Sequence, residues 1–206
     1  MSSIKNTFKE KFLEFRNEKI HNFSTRINRA HQLATFAHHG QKRASGDLYM
    51  THPVAIMNYL QAMECDEETL LAALLHDVLE DTTITIQDLE ELFNREIAYI
   101  VYFLSKDLKE YFIDPDKRRI LYFQKLQAGF YLNYKVYLIK LVDRLHNLST
   151  IGHFSKIKQQ KSIKETMTVF LPLFRKNLHI VPDKYQLQCQ KILKDLDEII
   201  VDFFVK

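Results

Sequence analysis

Apolar positions recur along most of this chain every three or four residues, the period of helices that bury one face. Ile4, Phe8, Phe12 and Phe15 step by four, four and three and predict an N-terminal helix over residues 4–20. Ile27, Ala30, His31, Ala34 and Ala37 predict a second over 24–38. A third, over 54–63, follows His52-Pro53, where proline suits a first helical turn. Residues 67–81 read as one continuous helix with Leu70, Leu71, Leu74, Leu75, Val78 and Leu79 turned inward. Thr85, with Asp88 three residues on, forms an acidic capping box that opens a helix over 85–93. Residues 97–104 are β-branched and aromatic, a strand composition by propensity alone, but their helical surroundings favour a buried helix. Helices over 120–130, 134–151, 161–176 and 185–204 complete the pattern, the last with a stripe of Ile192, Leu193, Leu196, Ile199, Ile200 and Phe203. The charged stretch over 105–117 breaks it, and Pro115 there marks a mobile loop.

Four glycines and four prolines in 206 residues argue against an all-β sandwich and for long helices with short connections. The expectation is one all-α domain over 1–206, with a core at about 24–176 flanked by the N-terminal and C-terminal helices. A net charge of +3 suits an anionic small molecule and is too weak to imply nucleic acid. The first 30 residues carry a net +4, but acids interleave with bases, as on a packed helix rather than a membrane anchor. Cys65 and Cys189 show neither metal-ligand spacing nor a disulfide framework, no secretory signal opens the chain, and no apolar run approaches a membrane span. A cytoplasmic protein without membrane contact is expected. The aromatic N-terminal helix and the long C-terminal helix could support a homodimer.

Chemistry concentrates at the end of the helix LLAALLHDVLED. Helical spacing sets His76 below Glu80 and Asp77 below Asp81, crowding four polar groups onto an apolar helix. A buried cluster of that kind needs a partner, and a metal ion is the obvious one. The segment HGQKRASGDLYMTHP holds Lys42 and Arg43 between Gly40 and Gly46, where the backbone must turn sharply or admit a ligand closely. Asp143, Asn147 and Thr150, at i, i+4 and i+7, share one helix face. Lys117, Arg118 and Arg119 form a basic cluster suited to phosphate if the fold brings it to the metal. Together His52, His76-Asp77 and Asp143 make a mixed nitrogen and oxygen set for one divalent transition ion, Mn²⁺ in particular but also Fe²⁺, Co²⁺ or Zn²⁺. Such an ion lowers the pKa of bound water and polarises a phosphoryl oxygen, and Glu80 and Asp81 stand where a water-activating carboxylate belongs.

The segments HGQKRASGDLYMTHPVAI, LLAALLHDVLEDTTIT and LIKLVDRLHNLSTIG resemble, in order and spacing, the HD-type hydrolase domain of the RelA/SpoT family, across residues 27–152. KETMTVFLPLFRKNL is more loosely similar to that family's next helix. The resemblance implies an HD-type all-α bundle that stands alone as a small alarmone hydrolase. It implies Mn²⁺ and removal of the 3′-pyrophosphate of guanosine 3′,5′-bis(diphosphate), ppGpp or pppGpp. By matching positions it implies metal ligation by His52, His76, Asp77 and Asp143 and water activation by Glu80 and Asp81. Arg43, Ser45, Asn147 and Thr150 would hold the nucleotide. Two positions depart from the family pattern: Ala44 where a second basic residue is usual, and Leu148-Ser149 where Met-Arg is common. These bear on base preference and leave room for ppApp or NADPH as substrate. A non-catalytic alarmone binder is the remaining alternative, and it has no need of a water-activating pair such as Glu80 and Asp81.

Overall fold

The computed structural model describes residues 23–106 and 114–205. The helix expected at 4–20 and most of the loop expected at 105–117 lie outside the described residues. Among the described residues every regular element is helical, apart from an isolated bridge between Lys42 and Leu48.

Two buried helices organise the rest. The first, α3 (Glu67–Leu75), is capped by Asp66, whose carboxylate accepts from Thr69 N at 3.0 Å, and every residue from Thr69 to Leu75 is buried. Around it pack α1 (Phe23–Ala37), α2 (Thr51–Ala62), α6 (Arg95–Leu104) and α8 (Tyr134–Ser149). The second is α8 itself, buried without a break from Lys135 to Arg144 and packed also against α7 (Pro115–Leu132) and the C-terminal α11 (Asp183–Val205). With helices on several sides, neither can show the one-sided apolar stripe of a surface helix. α6 settles the strand-like composition of its segment as helical: Asn94 caps Ile97 N at 2.8 Å, and Ile97, Ala98, Ile100, Val101 and Leu104 face the core. It meets α7 so closely at Gly129 that a Cβ there would lie 2.6 Å from Phe103 Cβ. Among the described residues no helix is long and apolar enough to cross a membrane.

Three expectations change. Residues 67–81 are not one helix: α3 ends at Leu75, His76 and Asp77 form a turn, and a single turn, α4 (Val78–Asp81), resumes. At the break the His76 ring, through Nδ1, bonds the Ala73 carbonyl at 2.8 Å, the acceptor that Asp77 N–H would use in a continuous helix. Pro115 opens a helix instead of interrupting one. Asp114 accepts from Asp116 N at 2.9 Å and Lys117 N at 3.4 Å, and at the first helical position proline's missing N–H costs nothing. Lys117, Arg118 and Arg119 therefore lie in the opening turns of α7. The helix expected at 161–176 starts earlier, as α9 (Lys156–Glu165), widens through a π-turn (Thr166–Phe170), and resumes as α10 (Leu171–Asn177). The wide turn, closed by Leu171 N–H to Thr166 O, directly precedes Pro172, which has no N–H to offer. The capping box holds as read, Thr85 and Asp88 bonding reciprocally ahead of α5 (Ile86–Leu92).

Candidate metal centre

Three helices meet where these breaks and caps fall. His52 projects from the first turn of α2, His76 from the end of α3, and Asp143 from the middle of α8; all three are buried, and one ligand atom from each lies within 4.8 Å of the others. Asp143 Oδ1 is 3.1 Å from His52 Nε2 and 3.9 Å from His76 Nε2, while Asp77 Oδ2 is 3.1 Å from His76 Nε2.

The ring nitrogens pointing away from the cluster decide what those facing it can do. His76 Nδ1 has the Ala73 carbonyl as its partner and carries the proton of the neutral ring, in which Nε2, beside Asp77 Oδ2, is a buried lone pair. His52 Nδ1 lies 2.8 Å from His146 Nδ1, and the tautomer that donates from His52 to His146 turns His52 Nε2 inward as a second lone pair. His146 suits the acceptor's part, because burial, with His52 and Arg43 nearby, pushes it down to about 4. Two imidazole lone pairs and the Asp143 carboxylate then converge, with the Asp77 carboxylate against His76, an arrangement that demands a cation. Without a metal the cation is a proton: burial works to lower His76, but Asp77 and Asp143 outweigh it and raise it to about 9. Burial works to raise both carboxyls, yet His76 beside Asp77 and Lys140 beside Asp143 hold them below the usual carboxylate range. A divalent ion fits this donor set, which contains no thiolate.

Glu80 and Asp81 engage different partners. Glu80 accepts from Lys106 N at 3.0 Å, with the Arg118 guanidinium 4.0 Å away. Asp81 connects to Asp77 through Tyr49, whose hydroxyl donates to Asp77 and lies 3.1 Å from Asp81 Oδ2. Burial, reinforced by Asp77 and Glu80, raises the Asp81 carboxyl.

The glycine-bounded segment is a tight turn. Gly40 and Gly46 have φ of +78° and +92°, Arg43 N bonds Asp47 O at 2.9 Å, and the turn aims Arg43 at α8. There Arg43 donates to Asn147 Oδ1 at 3.0 Å, and Asn147 in turn donates to Asp143 Oδ1 at 2.6 Å. Ser45 bonds Asp47 at 2.7 Å, and Thr150 ends α8 with its hydroxyl on the His146 carbonyl at 2.9 Å. Arg43, Ala44, Ser45, His146 and Thr150 line a cavity of about 190 Å³. Near Asn147 a second cavity, of about 470 Å³, carries Lys106, Arg144, Lys158 and Lys161 on its wall. Lys117 is exposed on the opening turn of α7. The structure thus brings His52, His76 and Asp143 together, sets Asp77 against His76, ties Asp81 to Asp77 through Tyr49 and Arg43 to Asp143 through Asn147, and pairs Glu80 with Lys106 and Arg118. Sequence reasoning missed Tyr49, His146 and Lys140. The last two lie three residues either side of Asp143, a helical spacing that could have found them.

The HD-domain family model matches residues 30–181. The bifunctional (p)ppGpp synthase/hydrolase SpoT of Escherichia coli K12 is 43% identical over 148 residues, covering 72% of this chain and 21% of that protein. The guanosine-3′,5′-bis(diphosphate) 3′-pyrophosphohydrolase of Haemophilus influenzae is 40% identical over 141 residues, 68% of this chain and 21% of that protein. The chain spans about a fifth of the length of these curated relatives. Among solved structures, a metazoan ortholog of SpoT, described as hydrolyzing ppGpp, shares the fold with a TM-score of 0.66 at 22% identity, covering 90% of this chain and 98% of that one.

Proposed function

The chain belongs to the HD-domain family, and from that premise we propose that it is a metal-dependent hydrolase releasing the 3′-pyrophosphate of guanosine 3′,5′-bis(diphosphate). The observation that carries this reading is the buried His76 Nε2, held without a hydrogen-bond partner among Asp77 and Asp143. The similarity to the E. coli and H. influenzae proteins supplies the substrate.

His52, His76, Asp77 and Asp143 would hold one divalent ion, Mn²⁺ on this reading. When bound, the ion supplies Lewis acidity toward water and a phosphoryl oxygen. Glu80 and Asp81 orient the attacking water and take its proton, and burial beside Asp77 and Glu80 raises the Asp81 carboxyl. Arg43, held by Asn147, faces the cavity with Ser45 and Thr150 and grips the nucleotide there. Arg118, with Lys117 on the same turn, and the lysines of the neighbouring cavity neutralise the phosphates.

The test is pyrophosphate release from ppGpp with Mn²⁺ supplied or chelated. Release is expected with Mn²⁺, none with chelator, and a fall of about 10²–10⁴-fold in Glu80→Ala, the scale of a lost acid–base group. Asp77→Ala is expected to lose the metal and the activity together. Tight Mn²⁺ binding without turnover of any alarmone would overturn the proposal in favour of a nucleotide sensor. A second reading keeps the chemistry and changes the substrate to ppApp or NADPH. It is favoured by Ala44, which lines the nucleotide cavity without a charge. Side-by-side kcat/KM values decide between them.

A further inference from the structure

Behind Asp143, on the side away from the imidazoles, lies a cation that the proposed reaction does not use. Lys140, one turn earlier in α8, is buried, and its Nζ sits 2.7 Å from Asp143 Oδ2. The other carboxylate oxygen, Oδ1, faces His52 Nε2 and accepts from Asn147. Asp143 is thus divided, one oxygen toward the ligand cluster and one toward an ammonium. Two aromatic rings also lie near that ammonium, with centres 5.8 Å (Tyr122) and 6.0 Å (Phe170) from Nζ, and the Arg144 charge acts on it as well. Phe170 comes from the π-turn and also carries the Arg144 guanidinium 3.7 Å above its ring.

A buried ion pair is a weak device for stability, since apolar residues of similar volume would serve as well. Its position beside a metal ligand gives it another use. The ammonium and the ion compete for the charge of one carboxylate, so what Lys140 draws to Oδ2 is less available at Oδ1. We propose that Lys140 is a positioning residue: it fixes Asp143 as a one-oxygen ligand through Oδ1, and by sharing that charge it loosens the metal's binding while leaving the ion a stronger Lewis acid. This inference rests on the metal-dependent reading above.

The experiment compares the full chain with Lys140→Met and Lys140→Gln by calorimetric titration with Mn²⁺, by thermal melts in chelator, and by kcat on ppGpp at saturating Mn²⁺. Both variants are expected to bind Mn²⁺ about tenfold more tightly, the change that removing roughly 1.4 kcal/mol of cation–cation repulsion gives. They should also melt earlier in chelator, where Asp143 has lost its counter-charge, and turn over more slowly at saturating metal. Damage to the site would weaken metal binding, so tightening separates this role from a merely structural one. Lys140→Gln still donates a hydrogen bond to Oδ2 and decides the matter if the Met variant fails to fold. Equal or weaker Mn²⁺ affinity in Lys140→Gln overturns the inference and leaves the hydrolase reading standing. No Mn²⁺ binding by the unsubstituted chain overturns both.

Discussion

Tyr49 has one proton and two carboxylates to share it with. The hydroxyl donates to Asp77, lies 3.1 Å from Asp81, and burial together with those acids raises its pKa, so it stays a donor at any working pH. Its ring stacks on His38 at 4.2 Å, with the Arg43 guanidinium 5.9 Å from its centre. One side chain therefore ties together Asp77, Asp81 and the Arg43 turn, the proposed metal ligand, water-activating acid and nucleotide loop. Tyr49→Phe keeps the ring and removes the tie. It is expected to fold normally and to lose about 10–100-fold in Mn²⁺ affinity or kcat, read by metal titration and pyrophosphate release; full activity with unchanged affinity would remove Tyr49 from the site. Nothing local in the sequence announces this residue, because its partners stand 28 and 32 positions away. His76-Asp77 and Asp143 were legible for the opposite reason. Ionisable groups inside apolar helices are conspicuous, since burial without a partner is costly. Lys140 and His146 fall between these cases: their spacing from Asp143 was visible, but a lysine or histidine on a helix is ordinarily solvated.

Element types were legible throughout the described residues, because a period near 3.6 and a scarcity of glycine and proline leave little besides helices. Boundaries failed where side chains compete with the backbone. The break at His76–Asp77 follows from a ring bonded to the Ala73 carbonyl, and the start of α7 at Pro115 from the Asp114 cap, neither of which shows in apolar periodicity. One cap also makes a prediction about stability. Asp66 caps α3 and pairs with Lys135 of α8 at 2.9 Å, joining the two buried helices at the ends remote from the metal cluster. Burial works to raise its carboxyl, but bonds from Thr69 and the Lys135 ammonium hold it below the ordinary value. A depressed carboxyl stabilises the fold above its unfolded pKa, about 3.9, and that contribution is lost as pH falls through the folded value. Asp66→Asn retains a good cap and discards the charge. At neutral pH it should be less stable by about 0.2–1 kcal/mol, a half-exposed pair being partly screened, with the gap narrowing as pH falls below about 4. Urea denaturation across pH measures this, and a gap constant with pH would assign the effect to something other than charge.

At the scale of the whole molecule the centre is a junction among helices far apart in sequence. His52 in α2, His76 after α3 and Asp143 in α8 supply the cluster. The sequence names these ligands without saying how they meet. The meeting is set by α3 and α8, whose continuous burial fixes them side by side. An ion at the junction would bind the folded chain and not the unfolded one, where the ligands are separated by tens of residues, so its binding free energy adds to folding. At a free concentration of about 100 times Kd that is about 2.7 kcal/mol. For a chain of this size about 2–4 °C accompanies each kcal/mol, so chelation should lower Tm by roughly 5–10 °C and Mn²⁺ should restore it. Hydrogen exchange adds a spatial check. Loss of protection on chelation should concentrate at the start of α2, the 76–77 turn and the middle of α8. The first turns of α11, where Tyr185 lies against Tyr134 at the start of α8, should be unmoved at temperatures well below the melt. A Tm indifferent to chelator and Mn²⁺ alike would mean that the lone pair on His76 is satisfied by a proton, as its raised pKa allows, and that the junction holds no ion.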